Sequence, residues 1–166
     1  MEESDKEKQI KKKNVYQLKT FPIPLELGEL NNNIPINNSL TKRSKEDAMN
    51  KAFKFHSQGN ISEAEKYYKL FINQGFTDPG VFSNYGILLK DLGKLTEAEL
   101  STRRAIQLKP NFAMAHSNLG GILKDLRKLQ EAEISYLKAI ELNPDFPEAH
   151  LNLGTICREL GKSQEA

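Results

Sequence analysis

The chain has 166 residues, with 24 lysines and arginines against 22 aspartates and glutamates and a net charge of +2. This balance disfavours nucleic-acid and anionic-membrane binders, which carry a marked basic excess. The N-terminal Met-Glu-Glu-Ser-Asp does not resemble a signal peptide, no apolar run has the length of a membrane-spanning helix, and the single cysteine cannot form an internal disulfide. We therefore expect a cytoplasmic protein with neither a nucleic-acid nor a membrane partner.

Residues 1–44 are predicted to be a disordered tail, rich in lysine and asparagine. Lysines crowd residues 6–13, and asparagines at 31–33 and 37–38 flank Pro35, so little apolar surface can offset the entropy of ordering. The exception is the proline-containing apolar segment 21–30, Phe-Pro-Ile-Pro-Leu-Glu-Leu-Gly-Glu-Leu. It is either a linker or a peptide that docks in a groove.

A 34-residue period begins at Lys45. The pair Glu-Ala recurs at 63–64, 97–98, 131–132 and 165–166, and residues 79–112 agree with residues 113–146 at 18 of 34 positions. This pattern resembles the tetratricopeptide helix-turn-helix repeat. The resemblance implies an all-α fold, a right-handed α-solenoid over residues 45–166. Its repeats would be 45–78, which is divergent, 79–112, 113–146 and a truncated fourth at 147–166.

Small residues occupy the eighth position of each repeat, where the two helices of a hairpin approach closely: Ala52, Gly86, Gly120 and Gly154. The chain departs from the family at Phe71, where alanine is expected, at Phe76, where proline is expected, and at Thr102, where an aromatic residue is expected. The predicted helices are 46–58, 62–74, 80–92, 96–108, 114–126, 130–142 and 148–160.

Local signals support these helix bounds. The first helix of a hairpin should end at a residue in the left-handed conformation, which is glycine in three repeats and Arg127 in the third. Second helices should begin with capping boxes, Ser62 with Glu65 in the first repeat and Thr96 with Glu99 in the second.

The resemblance also implies that the first helices of the hairpins line a concave groove. One asparagine per repeat stands at the sixth position of these helices: Asn50, Asn84, Asn118 and Asn152. Because an asparagine amide both donates and accepts, such a ladder can pair with the backbone of a bound peptide. The arrangement, together with Ala-His-Ser-Asn-Leu-Gly at 115–120, is similar to bacterial-type repeats like those of O-linked N-acetylglucosamine transferases. Alternatively, the asparagines serve hydrogen bonds within the array.

Basic residues recur at the groove's edge, at Lys90, Lys124 and Arg158, and these either contact a partner or belong to a solvated face. A carboxylate clamp for chaperone tails needs lysine and asparagine at positions five and nine of one repeat. Met49 and Phe53 occupy these positions in the first repeat, which disfavours that partner.

The sequence therefore predicts a scaffold that binds an extended peptide or a partner helix, with no catalytic residue, metal or cofactor. His116 and His150 lack ligand partners at metal-binding spacing, and Gly161-Lys162-Ser163 lacks the preceding glycine of a phosphate-binding loop. In the alternative, the fourth repeat is cut short at Ala166 and the natural chain continues into a glycosyl-, sulfo- or methyltransferase, for which these repeats recruit the substrate.

Overall fold

The structure is a computed structural model that describes the backbone of residues 38–161 and the side chains of residues 42–161. These residues form helices and turns without a strand. The helices are α1 (Asn38–Ser57), α2 (Ile61–Asn73), α3 (Pro79–Asp91), α4 (Leu95–Leu108), α5 (Ala113–Asp125), α6 (Leu129–Leu142) and α7 (Pro147–Glu159). Three hairpins, α1–α2, α3–α4 and α5–α6, are followed by α7, the first helix of a fourth repeat. The predicted all-α solenoid is confirmed.

Six of the seven helices begin and end within one residue of their predicted bounds, and α1 is the exception. It begins at Asn38, so residues 38–44 are helical rather than part of the tail. At the end of this extension, Ser44 Oγ donates to Gln74 Oε1 at 3.4 Å, and Lys45 Nζ donates to the carbonyl oxygen of Thr77 at 3.1 Å, both just after α2. The rest of the predicted tail, including the segment 21–30, lies outside the described residues.

The first helices end as predicted, on residues in the left-handed conformation. The φ angle is +71° at Gly59, +73° at Gly93 and +61° at Arg127. Arg127 N–H donates to the carbonyl oxygen of Lys124, and the next N–H, of Lys128, donates to that of Leu123. Helix α5 therefore ends in the way that a glycine usually ends a helix, although the residue in the left-handed conformation is Arg127.

We predict that Arg127→Gly raises the free energy of unfolding by about 0.5–1 kcal/mol. Glycine removes the steric cost of the left-handed conformation, of the order of 1–2 kcal/mol, and part of this gain is offset by the greater freedom of glycine in the unfolded chain. The lost ion pair with Glu159 is 3.5 Å long and involves an arginine side chain that is 82% exposed, so it contributes little. Urea denaturation measures the change, and Gly93→Arg should give the opposite sign. An unchanged or lower stability of Arg127→Gly would contradict the assignment of strain.

The predicted capping boxes are wrong. Helix α2 begins at Ile61, and Asn60 is its N-cap, with its side chain accepting a hydrogen bond from the N–H of Glu63 at 3.4 Å. Helix α4 begins at Leu95 after Lys94, which makes no side-chain cap. Each helix thus starts two residues earlier than the box requires, and its first turn already contains the serine or threonine.

The glutamates of those boxes instead join consecutive repeats. Glu65 accepts from Lys94 Nζ at 2.8 Å, and Glu99 accepts from Lys128 Nζ at 2.8 Å. Both carboxylates are mostly buried, with 20% and 14% of their side chains exposed. Hydrogen bonds from Lys94 and Lys69 lower the pKa of Glu65. Because each lysine follows the residue that ends a first helix, the same pair recurs with the repeat.

Small residues lie where the two helices of each hairpin pack against each other, as predicted. Ala64, Ala98 and Ala132 are fully buried. A Cβ on Gly120 would lie 2.8 Å from the ring of Tyr136, and one on Gly86 would overlap Thr102 Oγ1 at 2.1 Å. The two helices therefore approach to a distance that only glycine allows at these two positions.

The packing order of the helices gives the array its curvature. The first helices contact one another in sequence, α1 with α3, α3 with α5 and α5 with α7, whereas the backbones of α2, α4 and α6 nowhere approach within 8 Å of each other. An array whose inner helices are adjacent and whose outer helices are apart curves toward the inner ones. The faces of α1, α3, α5 and α7 therefore form the concave side.

Candidate binding groove

The four asparagines of the predicted ladder stand at the same place on the four concave helices. Asn50 is exposed, and Asn84, Asn118 and Asn152 are half-buried. Asn118 Nδ2 donates to Ser83 Oγ at 3.0 Å, and Ser83 is completely buried. Between residues 42 and 161, the side chains of the other three have no hydrogen bond. Asn118 thus connects two repeats, which fits the alternative that the asparagines serve hydrogen bonds within the array. The amides of Asn50, Asn84 and Asn152 are available to a ligand.

A cleft of about 290 Å³ opens between α3, α5 and α7. Asn118 and Asn152 line it together with Lys90. The ladder and one of the edge cations therefore meet at one depression of the concave surface. The sequence predicted each of these residues but not that they surround a cleft.

The edge cations differ from one another in their partners. Lys90 Nζ lies 3.8 Å from Asp125 of the next repeat, rather than pairing with the adjacent Asp91. Lys124 is half-buried and Arg158 is exposed, and neither forms an ion pair within the part of the chain that the structure describes. Lys124 and Arg158, two of the three predicted edge cations, thus have no ion pair among the described residues.

An aromatic cluster occupies the groove's first repeat. His56 Nδ1 is hydrogen-bonded to the hydroxyl of Tyr68 at 2.9 Å, and the Tyr68 ring lies 5.4 Å from that of Tyr85. Burial lowers the pKa of His56, against the opposing effect of the Asp91 carboxylate. Burial also raises the pKa of Tyr68. Burial therefore disfavours the charged imidazole, whose ring packs edge-on against Tyr68 in this cluster.

We predict that the melting temperature falls as the pH is lowered from 7.5 to 5. The unfolded chain takes up a proton at the ordinary histidine pKa of about 6.5, whereas folded His56 does so only at lower pH, so protonation favours unfolding in this window. Glu65, whose pKa is lowered, acts only below its ordinary value of 4.5. His56→Gln should flatten the dependence, and His116→Gln should retain it. An unchanged slope in His56→Gln would contradict this origin.

The other two histidines have structural partners. His116 Nε2 donates to the carbonyl oxygen of Pro110 at 2.9 Å, and His150 Nε2 donates to that of Pro144 at 2.8 Å. Each imidazole thereby fastens a first helix to the end of the preceding second helix. Within residues 42–161 no group of three or more His, Cys, Asp or Glu side chains is placed to hold a metal ion.

Family models for the tetratricopeptide repeat match residues 80–112, 113–146 and 135–166. Together the matches span more than half of the 166 residues. The chain belongs to the tetratricopeptide-repeat family. In such a protein the first helices of consecutive hairpins form the concave surface, as α1, α3, α5 and α7 do here.

Solved structures share the tetratricopeptide solenoid. The first such domain of Spaghetti (RPAP3), bound to the HSP90 peptide SRMEEVD, is 27% identical, with a TM-score of 0.68 over 72% of this chain and 94% of that one. The first such domain of human RPAP3 is 26% identical, with a TM-score of 0.66 over 74% and 96%. MamA, at 21% identity and a TM-score of 0.71 over 77% of each chain, shares the fold. A search of the curated proteins finds no match.

The tetratricopeptide helices are all too short or too polar to cross a bilayer within residues 38–161. Apolar side chains on their outer faces are nevertheless exposed, among them Leu100 at 54% and Ile134 at 60%. These two lie on α4 and α6, away from the groove. They define a second surface against which binding in the groove can be compared.

Proposed function

We propose that the concave groove binds an extended peptide or a partner helix, and that the asparagine ladder pairs with the bound backbone. One observation carries the proposal: Asn84 and Asn152 are half-buried in the groove, yet their amides have no hydrogen bond among the described residues. Thr102 Oγ1 is the only fully buried side-chain polar atom without a partner among the described residues, so both amides are accessible to a ligand. A peptide backbone offers the donor and the acceptor that such amides need, repeated along an extended chain.

A relative supports a peptide as the class of ligand. The Spaghetti domain, 27% identical to this chain, holds an HSP90 peptide. The positions that would carry a carboxylate clamp here are Met49 and Phe53. We therefore propose that recognition depends on the backbone and on neutral contacts more than on a terminal carboxylate, with Lys124 and Arg158 meeting acidic side chains at the edge of the groove.

Asn84→Ala combined with Asn152→Ala should weaken peptide binding by about tenfold and leave the melting temperature unchanged. Each hydrogen bond contributes about 1 kcal/mol net, and less where solvent competes, so the loss of two amides gives a factor of about ten. Because each contribution is small, we expect a dissociation constant on the order of micromolar for the original chain. Fluorescence anisotropy with a peptide selected from a random library measures binding, and circular dichroism measures melting.

Asn118→Ala is the matched control, because Asn118 donates to the buried Ser83 hydroxyl. Removing that donor leaves Ser83 unpaired and should lower the free energy of unfolding by about 1–2 kcal/mol. If the Asn84 and Asn152 double variant binds as well as the original chain, the ladder does not hold the peptide. If it melts as early as Asn118→Ala, the two amides are structural.

The likeness to repeats of bacterial O-linked N-acetylglucosamine transferases stays a prediction. So does the alternative that the truncated fourth repeat suggests, a substrate-recruiting region of a larger transferase. The proposal above concerns the groove of residues 45–161 and holds with or without a further domain.

A further inference from the structure

The cleft in the groove has a tyrosine hydroxyl at its base. Tyr136 is 1% exposed, and its ring packs on Gly120, where a Cβ would come within 2.8 Å. Its hydroxyl reaches past Gly120 to Gly121, where a Cβ would lie 3.5 Å away. Burial raises the pKa of Tyr136 to about 12, so the phenol stays protonated. Among the described residues the hydroxyl has no hydrogen-bond partner.

Gly121 is what leaves this hydroxyl accessible. It occupies the ninth position of the third repeat, which holds Phe53, Ile87 and Thr155 in the other repeats. A side chain of that size at 121 would cover the Tyr136 hydroxyl. The third repeat alone therefore combines a glycine on the concave helix with a tyrosine beneath it, and both residues line the cleft.

The rim of the cleft carries one charge of each sign. Lys90 stands on one side and is drawn toward Asp125 at 3.8 Å, and Glu148 stands on the other and has no ion pair within residues 42–161. A carboxylate in the cleft would meet Glu148, and an ammonium would meet Lys90. A neutral group with a strong dipole is stabilised by both, with its acceptor toward the lysine and its donors toward the glutamate.

The walls add an apolar requirement. Ile87 and the half-buried Phe146 face the cleft, and its volume of about 290 Å³ accommodates a long side chain. An aliphatic stem fits between these walls, while the hydrogen-bonding groups lie at the base and the rim. Pockets of this kind bind by apolar contact and select by a few polar groups.

We infer that this cleft is a subsite for a primary-amide side chain, that of glutamine, on the peptide held in the groove. The Tyr136 hydroxyl and the Lys90 ammonium donate to the amide oxygen, and the amide N–H groups donate to Glu148 and to the oxygen of Asn152. The inference rests on the proposed function, since the groove must first hold the peptide. The subsite adds selectivity for one side chain of the peptide to a groove that otherwise recognises the peptide backbone.

A random heptapeptide library displayed on phage tests the subsite, with the whole chain as bait. We expect glutamine to be enriched at one position of the selected peptides. In a synthetic copy of the best peptide, replacing that glutamine with glutamate, lysine or norleucine should weaken binding about tenfold. Tyr136→Phe, which removes only the hydroxyl, should cause a similar loss for the glutamine peptide and abolish its preference over norleucine.

Gly121→Ala provides a second variant, because its Cβ makes an ordinary contact with the tyrosine and covers the base of the cleft. It should remove the preference for glutamine, and Gly154→Ala, which adds a methyl at a position of α7 that does not line the cleft, should retain it. Library binders without such a preference, or with one for glutamate or lysine, overturn the subsite but not the groove. The absence of any binder overturns the proposed function and the subsite with it.

Discussion

Gly120→Ala is expected to lower the free energy of unfolding by about 1–2 kcal/mol. The added Cβ would lie 2.8–2.9 Å from three atoms of the Tyr136 ring, which is 1% exposed, so the ring or one of the two helices must shift. Overpacking a dense core costs about 1–3 kcal/mol and occasionally more, and the gain of up to about 1 kcal/mol from placing alanine in a helix offsets part of it. The main consequence is a wider separation of α5 and α6.

Gly154→Ala is the matched control at the same position of the fourth repeat. No atom of the described residues lies within 4 Å of its Cβ, so only the helix preference acts and stability should rise by about 0.5–1 kcal/mol. Urea denaturation of the two variants measures both effects. Equal changes in the free energy of unfolding of the two variants would mean that α5 and α6 do not need glycine at position 120 to pack together.

Phe71→Ala is expected to lower the free energy of unfolding by about 3–5 kcal/mol, although alanine is the family residue at this position. The Phe71 side chain is completely buried, and its ring lies 5.5 Å from that of Phe76, which replaces the family's proline. Lys45 Nζ also lies 5.9 Å from the ring centre. Removing a buried phenylalanine from a core that has adapted to it leaves a cavity that the surrounding chain fills only in part.

Leu70→Ala is the control for Phe71→Ala, as the preceding residue of the same helix is 41% exposed. It should change stability by less than about 1 kcal/mol. If Phe71→Ala lowered the free energy of unfolding as little as Leu70→Ala, the first repeat would tolerate alanine at this position. Phe71 and Phe76 would then not act together in place of the family's alanine and proline. Thermal melts followed by circular dichroism distinguish these results.

Sequence alone predicted the features of this fold that depend on local chemistry. The helix endings at Gly59 and Gly93 follow from a backbone conformation that one residue type adopts freely, and the buried alanines follow from the period. The resemblance to the family implied that the ladder lies on the concave helices. The period adds that its members occupy equivalent places, because they are 34 residues apart in a repeat array.

What the sequence did not predict depends on contacts between residues far apart in the chain. Lys94 and Glu65 are 29 residues apart, and Asn118 and Ser83 are 35 apart. Ser44 and Lys45 of α1 contact partners just after the end of α2, which no local signal before Lys45 predicts. The cleft likewise needs Gly121 and Tyr136, which lie on different helices. Such pairings are visible only when the repeats are stacked.

The most direct test of the groove is an ¹⁵N-labelled chain titrated with the best library peptide and followed by two-dimensional NMR. We expect the largest chemical-shift changes on α3, α5 and α7, and on the side-chain amides of Asn84 and Asn152. Changes concentrated on α4 and α6, around the exposed Leu100 and Ile134, would contradict this expectation and place binding on the outer surface.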